Sequence, residues 1–298
     1  MSRPVLHAEA AIGRPLRDRL TRKAGAAWRP ARGTPVLMTD LPVYRLPRPD
    51  GAELAWREVG SGRPFVLLHG LMGSGALLAS QGLVPALAER GYRVILPDLR
   101  GHGDSGRPHD SACYPPDVLA NDMLALIGHL GLDDYDLGGY SMGGKLVLRL
   151  LARGARPAHA VVGGQGLDAL DAESDRTAGH RRILAAVADG VALPAGSPEE
   201  ATAEWIRQSG VDPRAVGLVL GTFLATAAEA LRPVSAPTLV VVGDRDSRGT
   251  SAGSLAALLP HGQLVLVPGD HVTALGAPEF TAAVLEFLGN SLSAIGSR

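Results

Sequence analysis

The arrangement of apolar residues limits this chain to a small number of folds. Between residues 41 and 288, continuously apolar runs such as 64–69 (PFVLLH) and 238–243 (TLVVVG) alternate with longer stretches such as 75–90, where Leu and Val have helical spacing. Continuous apolar runs of this length are typical of strands buried on both faces. Because strands that alternate with helices pair in parallel, the sequence predicts one α/β domain: a mostly parallel central sheet of about eight strands, flanked by helices.

The strand pattern is interrupted once, by residues 167–236, in which no strand signal is present. We therefore predict a helical insertion after the sixth strand, between the two parts of the core, residues 37–166 and 237–298. Residues 1–36 precede the pattern and contain eight basic and two acidic residues. Such a segment is compatible with an organelle transit peptide, a contact for an anionic surface or a basic N-terminal extension, and we predict the extension.

The composition excludes several classes of protein. The chain has 29 Lys and Arg residues and 30 Asp and Glu residues. A net charge this close to zero gives no strong electrostatic attraction to the phosphate groups of nucleic acids. No apolar stretch approaches the roughly 18 residues of a membrane span. Cys113 is the only cysteine, which excludes an internal disulfide and a cysteine-based zinc site, and no histidine spacing is typical of a metal site. We predict a cytoplasmic protein with a small-molecule substrate and no cofactor or metal; the sequence sets no oligomeric state.

A serine follows one of the predicted strands in the pattern G-x-S-x-G. Residues 139–143 (GYSMG) end that strand and open a predicted helix, so Ser141 is expected on a sharp strand-to-helix turn. Small residues are needed two positions to either side because the backbone packs closely there, and the helix N-terminus favours negative charge. Residues 249–253 (GTSAG) have the same pattern but lie among predicted loop residues, so we select Ser141 over Ser251.

Acidic and histidine residues follow the last two predicted strands. Asp244 and Asp246 come directly after residues 238–243, and His271 comes soon after the strand at 263–267. A serine becomes a good nucleophile when a histidine takes its proton, and a carboxylate fixes the tautomer of that histidine. The chain order Ser, Asp, His is one of the known orders of this triad.

Five motifs together resemble the α/β-hydrolase superfamily, in particular its serine esterases and cofactor-free haloperoxidases. They are HGLMGSG at 69–75, PDLRGHGDSGRP at 97–108, GYSMGG at 139–144, PTLVVVGDRD at 237–246 and VPGDH at 267–271. The resemblance implies that Ser141 is the nucleophile, His271 the general base and Asp246 the orienting acid. It also implies an oxyanion hole formed by the backbone N–H groups of Leu71 and Met142.

Alternatives remain at some of these positions. In some members of the superfamily the acid follows the preceding strand, where Asp168 and Asp171 stand here, and Asp244 is a further candidate. His69 and His102 lie in family motifs and are expected to support loop structure. The insertion forms a lid in this superfamily, although its apolar residues are also compatible with a face that packs on the core. The candidate pocket residues are His69, Tyr140, Trp205, Phe223 and Val272.

The serine narrows the reaction that the resemblance implies. Haloalkane dehalogenases and epoxide hydrolases of this fold use an aspartate where this chain has Ser141. A serine nucleophile implies an acyl-enzyme, and the mostly apolar insertion favours small to medium apolar acyl groups. We therefore predict a serine hydrolase that cleaves carboxylic esters.

Three other functions remain open at this point. An acyltransferase, or a perhydrolase of the cofactor-free haloperoxidase type, would pass the same acyl group to a different acceptor. A carbon–carbon bond hydrolase of the meta-cleavage type often has the same S-M-G-G turn, but usually has HG-x-GPG where this chain has HGLMGSG. The third is a member of the fold used for ligand binding or for non-hydrolytic ring closure.

Overall fold

The computed structural model describes residues 41–295 of the chain, with side chains described as far as residue 289. The predicted basic extension, residues 1–36, lies outside the described residues. Within the described range, no helix is both long enough and apolar enough to cross a membrane.

Eight strands of the described chain form one sheet, in the order β1-β2-β4-β3-β5-β6-β7-β8. The strands are β1 (Tyr44–Pro47), β2 (Glu53–Gly60), β3 (Arg63–Leu68), β4 (Tyr92–Asp98), β5 (Asp136–Tyr140), β6 (Ala160–Gly163), β7 (Thr238–Gly243) and β8 (Gly262–Val267). β2 pairs antiparallel with β1 and with β4, and every other neighbouring pair is parallel. The mostly parallel sheet of eight strands that the sequence predicts is confirmed.

Both faces of the central strands β3, β5, β6 and β7 are buried, which explains the continuously apolar runs in these strands. Val66 and Leu68 of β3 belong to one hydrophobic cluster, whereas Phe65 and Leu67 belong to a second. Successive side chains of a strand point to opposite faces, so each cluster fills one side of the sheet. Burial of apolar area on this scale is the main favourable term in folding.

Helices cover the two faces in separate groups. They are α1 (Gly75–Ala79), α2 (Leu83–Glu89), α3 (Val118–His129), α4 (Met142–Ala152), α5 (Asp175–Asp189), α6 (Pro198–Ser209), α7 (Pro213–Leu220), α8 (Gly249–Leu258) and α9 (Pro278–Ile295). Buried side chains of α3, α4 and α8 belong to the cluster that contains Val66, and those of α1, α2 and α9 belong to the cluster that contains Phe65.

The single helix predicted for residues 75–90 is wrong, because two shorter helices occupy this stretch. α1 ends at Ala79, where the Ser80 N–H bonds to the Leu77 carbonyl, and α2 begins at Leu83. Leu78 of α1 and Leu83 of α2 are nevertheless buried in the same cluster. The apolar spacing therefore continues across the break.

Three helices, α5, α6 and α7, lie between β6 and β7, where the sequence has no strand signal. They have a small hydrophobic cluster of their own, which includes Leu184, Ile206 and Leu220. Leu71 and Met72, from the loop after β3, pack against this cluster. The helices thus contact the loop that follows β3.

Candidate active site

Ser141 lies on a tight turn between β5 and α4. Its backbone has φ +55° and ψ −119°, a conformation that residues with a side chain rarely adopt. A Cβ atom on Gly139 would lie 2.4 Å from the Gly143 carbonyl, and one on Gly143 would lie 2.2 Å from the Leu68 carbonyl oxygen. The turn therefore requires glycine at both positions, for the steric reason that the G-x-S-x-G pattern suggests.

A chain of two hydrogen bonds joins Ser141, His271 and Asp246. His271 Nε2 lies 2.8 Å from Ser141 Oγ, and His271 Nδ1 lies 2.6 Å from Asp246 Oδ2. A carboxylate only accepts hydrogen bonds, so Nδ1 donates its proton to Asp246 and the Nε2 lone pair is left to accept the serine hydroxyl proton. The structure brings the three residues together from the ends of β5, β7 and β8.

The surroundings of these three side chains favour an ionised Asp246 and a neutral His271. Burial raises the pKa of Asp246, but hydrogen bonds from the Arg248 backbone N–H and from His271 outweigh it and hold that pKa below its ordinary value. Burial lowers the pKa of His271, and the nearby Arg248 guanidinium lowers it further, while Asp246 opposes both. The net shift is downward, so the imidazole is free to accept a proton at neutral pH.

The other acids that the sequence leaves open make different contacts. Asp244 accepts a hydrogen bond from the Gly269 N–H at 3.0 Å, and Asp168 pairs with Arg176 at 2.6 Å. The Asp171 carbonyl oxygen accepts a hydrogen bond from Lys145. Among the described residues, Asp246 is the carboxylate that hydrogen-bonds to His271.

Ser251, the serine of the second G-x-S-x-G, has a structural contact. The prediction that it lies in a loop is wrong, because it lies in the first turn of α8. Its Oγ accepts a hydrogen bond from the Leu167 N–H at 2.9 Å. That bond fixes the chain just after β6.

The backbone N–H groups of Leu71 and Met142, near Ser141, donate no hydrogen bond to any part of the chain that the structure describes. Met142 is the first residue of α4, so its N–H has no partner within the helix. Leu71 precedes Met72, whose φ is +61°. Free donors beside a serine can stabilise a negative charge that develops there.

Buried polar residues hold the loops that contain these donors. His69 Nδ1 donates to the Gly70 carbonyl, its Nε2 accepts from the Leu99 N–H, and burial lowers its pKa to about 4. Asp98, fully buried, accepts hydrogen bonds from the backbone N–H groups of Gly75 and Asp104. His69 is therefore a neutral side chain that supports the loop and also lines a cavity at Ser141.

Two cavities meet at Ser141. The larger, of about 350 Å³, is lined by the predicted pocket residues His69, Tyr140, Trp205 and Val272, together with Leu71, Leu77 and His271. The smaller, of about 80 Å³, is lined by Met142, the predicted Phe223 and several polar side chains that include Lys145 and Arg176. The larger cavity is mainly apolar, whereas charged as well as apolar side chains line the smaller one.

Sequence reasoning missed several residues around Ser141. Gln165 Nε2 donates to the Ser141 carbonyl oxygen at 2.5 Å, and Arg248 and His180 line both cavities. Gln165 lies two residues after the end of β6. Sites in such sheets form just beyond the ends of parallel strands, so the position of Gln165 was the available signal. His180 lies within α5 and Arg248 lies just before α8, and nothing in their sequence spacing indicates that they line the site.

Metal binding finds no support among the described residues, since no cluster of three or more His, Cys, Asp or Glu side chains could hold an ion. The polar groups around Ser141 include His271, the basic side chains of Lys145 and Arg248, and the backbone N–H groups of Leu71 and Met142. This set fits a reaction that generates negative charge on an oxygen atom.

Comparisons with known proteins find similarity to the alpha/beta hydrolase family. A family model described as alpha/beta hydrolase fold matches residues 63–182. A putative non-heme chloroperoxidase from Synechocystis is 30% identical over 245 residues, which cover 73% of this chain and 87% of that protein. A soluble epoxide hydrolase from Corynebacterium is 38% identical over 97 residues, or 33% of this chain and 32% of that protein.

The structural neighbours include an enzyme described as an esterase. A thermophilic esterase from Thermogutta terrifontis is 26% identical, covers 84% of this chain and 98% of its own, and superposes with a TM-score of 0.62. Several other curated relatives match over only about a third of their length, 34% and 36% in two cases.

Proposed function

Because the chain belongs to the alpha/beta hydrolase family, we propose that it is a serine hydrolase that cleaves carboxylic esters through an acyl-enzyme. The observation that supports this most is the hydrogen-bond chain from Ser141 through His271 to Asp246, with distances of 2.8 and 2.6 Å. In this proposal Ser141 is the nucleophile, His271 the general base and Asp246 the acid that orients it.

The first half of the reaction forms the acyl-enzyme. Ser141 Oγ attacks the ester carbonyl carbon as His271 Nε2 takes the hydroxyl proton. The carbonyl oxygen becomes an oxyanion, which accepts hydrogen bonds from the Leu71 and Met142 N–H groups; each such donor is typically worth about 3 kcal/mol. The bond to the leaving oxygen then breaks, and the imidazolium gives its proton to the departing alcohol.

The second half returns the enzyme to its starting state. A water molecule attacks the acyl carbon and gives a proton to His271, and the carboxylic acid leaves as that proton passes back to Ser141 Oγ. In both halves Asp246 stays ionised and stabilises the imidazolium, which its hydrogen bond to Nδ1 permits. No cofactor is needed for these steps.

The helices between β6 and β7 serve as a lid in this proposal. Trp205 of α6 and His180 of α5 line the larger cavity beside Ser141, and Trp205 is about half exposed at 48%. A partly exposed aromatic side chain at the entrance of an apolar cavity can close over a substrate. This proposal divides the protein into a core, residues 37–166 and 237–298, and a lid, residues 167–236. The cytoplasmic location stays a prediction.

A second candidate is transfer of the acyl group to an acceptor other than water. It is favoured by one observation, the relative described as a chloroperoxidase that matches 73% of this chain. The acyl-enzyme would be the same, and hydrogen peroxide in place of water would yield a peroxy acid. Product analysis with and without peroxide separates the two reactions.

A fluorophosphonate probe tests the proposed nucleophile before any substrate is known. We expect one adduct per chain on the wild-type protein, measured by intact mass, because the probe reacts with an activated serine. The Ser141→Ala variant should give no adduct, and Ser251→Ala should react like wild type. A well-folded wild-type protein that stays unlabelled would contradict the proposal and would favour a binding role.

The pH dependence of hydrolysis tests the role of His271. Only the neutral imidazole can accept a proton, so kcat/KM for a neutral ester should fall as the pH drops through the pKa of His271. Burial and Arg248 lower that pKa, so the midpoint should lie below the ordinary value of 6.5. In Arg248→Met a neighbouring cation is removed, and the midpoint should move to higher pH.

Arg245→Met is the matched control for that measurement. This substitution removes the same charge as Arg248→Met. Because the Arg245 side chain is 68% exposed and lies by Asp244, the midpoint of the pH profile should not move. A wild-type midpoint above 6.5, or equal shifts in the two variants, would show that the titrating group is not His271 in this environment.

A further inference from the structure

The smaller cavity at Ser141 has an unusual set of charged groups. Four residues with a formal charge line it: Lys145, Arg176, Arg248 and Asp168. His180 also lines it, but burial lowers the pKa of this imidazole, so it adds no positive charge at neutral pH. Three cations therefore face one carboxylate.

Two of the three cations are already paired. Arg176 binds Asp168 at 2.6 Å, and Arg248 lies 3.4 Å from Asp246. Lys145 makes no ion pair with any described residue; its Nζ donates to the Asp171 carbonyl at 2.5 Å and lies 5.0 Å from the centre of the Phe223 ring. Lys145 is thus the cation of the three that forms no ion pair within the described chain, although the more distant carboxylates of Asp171 and Asp168 raise the pKa of its ammonium.

Lys145 is partly buried beside the serine. Lys145 lies in the first turn of α4, and its side chain lines the same cavity as Ser141. Burial lowers the pKa of the ammonium, and Asp171 and Asp168 offset this only in part, so the charge of Lys145 lacks full compensation. A negatively charged group in the cavity would offset that cost.

The position of His271 indicates which part of a substrate enters this cavity. In the proposed reaction the imidazolium gives its proton to the leaving alcohol, so the alcohol must lie on the His271 side of Ser141. His271 lines the larger, mainly apolar cavity and not the smaller one. The acyl group then extends the other way, past Met142 and towards Lys145.

We infer that the acyl group of the substrate ends in a carboxylate that binds Lys145. The substrate class is a monoester of a short dicarboxylic acid with an apolar alcohol, and this inference rests on the proposed ester hydrolysis. Lys145 is the one cation of this cavity without an ion pair to a described residue, so it matches an acyl group that carries a single carboxylate. The cavity volume of about 80 Å³ is several times the roughly 10–15 Å³ that one water occupies, which suits a short acyl chain.

Two esters with acyl chains of equal length test the inference: hexyl pentanoate and the monohexyl ester of glutaric acid. They differ in a terminal methyl group against a carboxylate. We expect wild-type kcat/KM to be about tenfold or more higher for the glutarate ester, the factor expected of one charge-assisted hydrogen bond. In Lys145→Met the ratio of the two kcat/KM values should fall by a similar factor, because methionine keeps the packing on Phe223 without the charge.

Arg182→Met is the control, since Arg182 is exposed on α5 and lines neither cavity. It removes the same charge and should leave the ratio unchanged. Competitive inhibition of the wild type by glutarate against pentanoate gives a second measurement that needs no variant, and glutarate should bind more tightly. A wild type that prefers the pentanoate ester, or equal changes in the two variants, would overturn the inference.

The same assays separate this inference from the proposed function. If hexyl pentanoate is hydrolysed but the carboxylate gives no preference, ester hydrolysis stands and the inference about Lys145 is wrong. If neither ester is hydrolysed and the fluorophosphonate leaves Ser141 unlabelled, the proposed function is wrong and the inference is overturned with it.

Discussion

Replacing Ser141 with alanine is expected to lower kcat for ester hydrolysis by about three or more orders of magnitude. The substitution removes only the Oγ atom, which lies 2.8 Å from His271 Nε2. Without Oγ no acyl-enzyme forms, and only the oxyanion donors and the cavities remain to assist attack by water. Alanine tolerates the φ of +55° about as well as serine, so the thermal midpoint of unfolding should change little.

Ser251→Ala is the matched control, because Ser251 occupies the same G-x-S-x-G pattern. Its hydroxyl bonds to the Leu167 N–H, and it lines neither cavity at Ser141. Its kcat should stay within a few-fold of wild type. The assignment of Ser141 would be wrong if Ser141→Ala kept more than about a tenth of the wild-type activity in steady-state hydrolysis of a short ester.

The sheet could be predicted from the sequence because its signal is local. A strand buried on both faces must be apolar at every position, and residues 238–243 are the same in the prediction and in β7. Helix ends are harder to predict, as residues 75–90 show. Apolar spacing indicates which face of a segment is buried but not where its helical hydrogen bonds stop. The buried side chains of α1 and α2 belong to the same cluster, so the spacing continues although the helix is interrupted between them.

The serine turn is also a local feature, whereas its partners are not. The glycines at 139 and 143 are required by contacts within the turn and with β3, so the pattern points to Ser141 directly. Asp244 and Asp246 are two residues apart and follow the same strand. The sequence alone did not distinguish them, and the choice of Asp246 came from a family resemblance.

The charge of the smaller cavity could not be predicted from the sequence. Its cations lie on three separate segments, with Lys145 in α4, Arg176 in α5 and Arg248 just before α8. Whether each is paired depends on carboxylates elsewhere in the chain, which only the folded structure brings near. The one available signal was that Lys145 is one of two lysines in a chain whose other basic residues are arginine.

Replacing Asp246 with asparagine is expected to lower kcat by about four orders of magnitude. The Asp246 side chain is 1% exposed and accepts the proton of His271 Nδ1. An asparagine NH2 group would donate to Nδ1 instead, and the proton of the imidazole would move to Nε2. The histidine would then present a donor to Ser141 rather than a lone pair, and it could no longer take the serine proton.

Asp244→Asn makes the same chemical change two residues away and serves as the control. Asp244 Oδ1 accepts a hydrogen bond from the Gly269 N–H, which the asparagine carbonyl can also accept. We expect its kcat to stay within a few-fold of wild type, measured with the same ester at a pH above the His271 titration. If Asp244→Asn lost activity and Asp246→Asn retained it, the orienting acid would be Asp244, and the hydrogen bond from His271 to Asp246 would have no catalytic role.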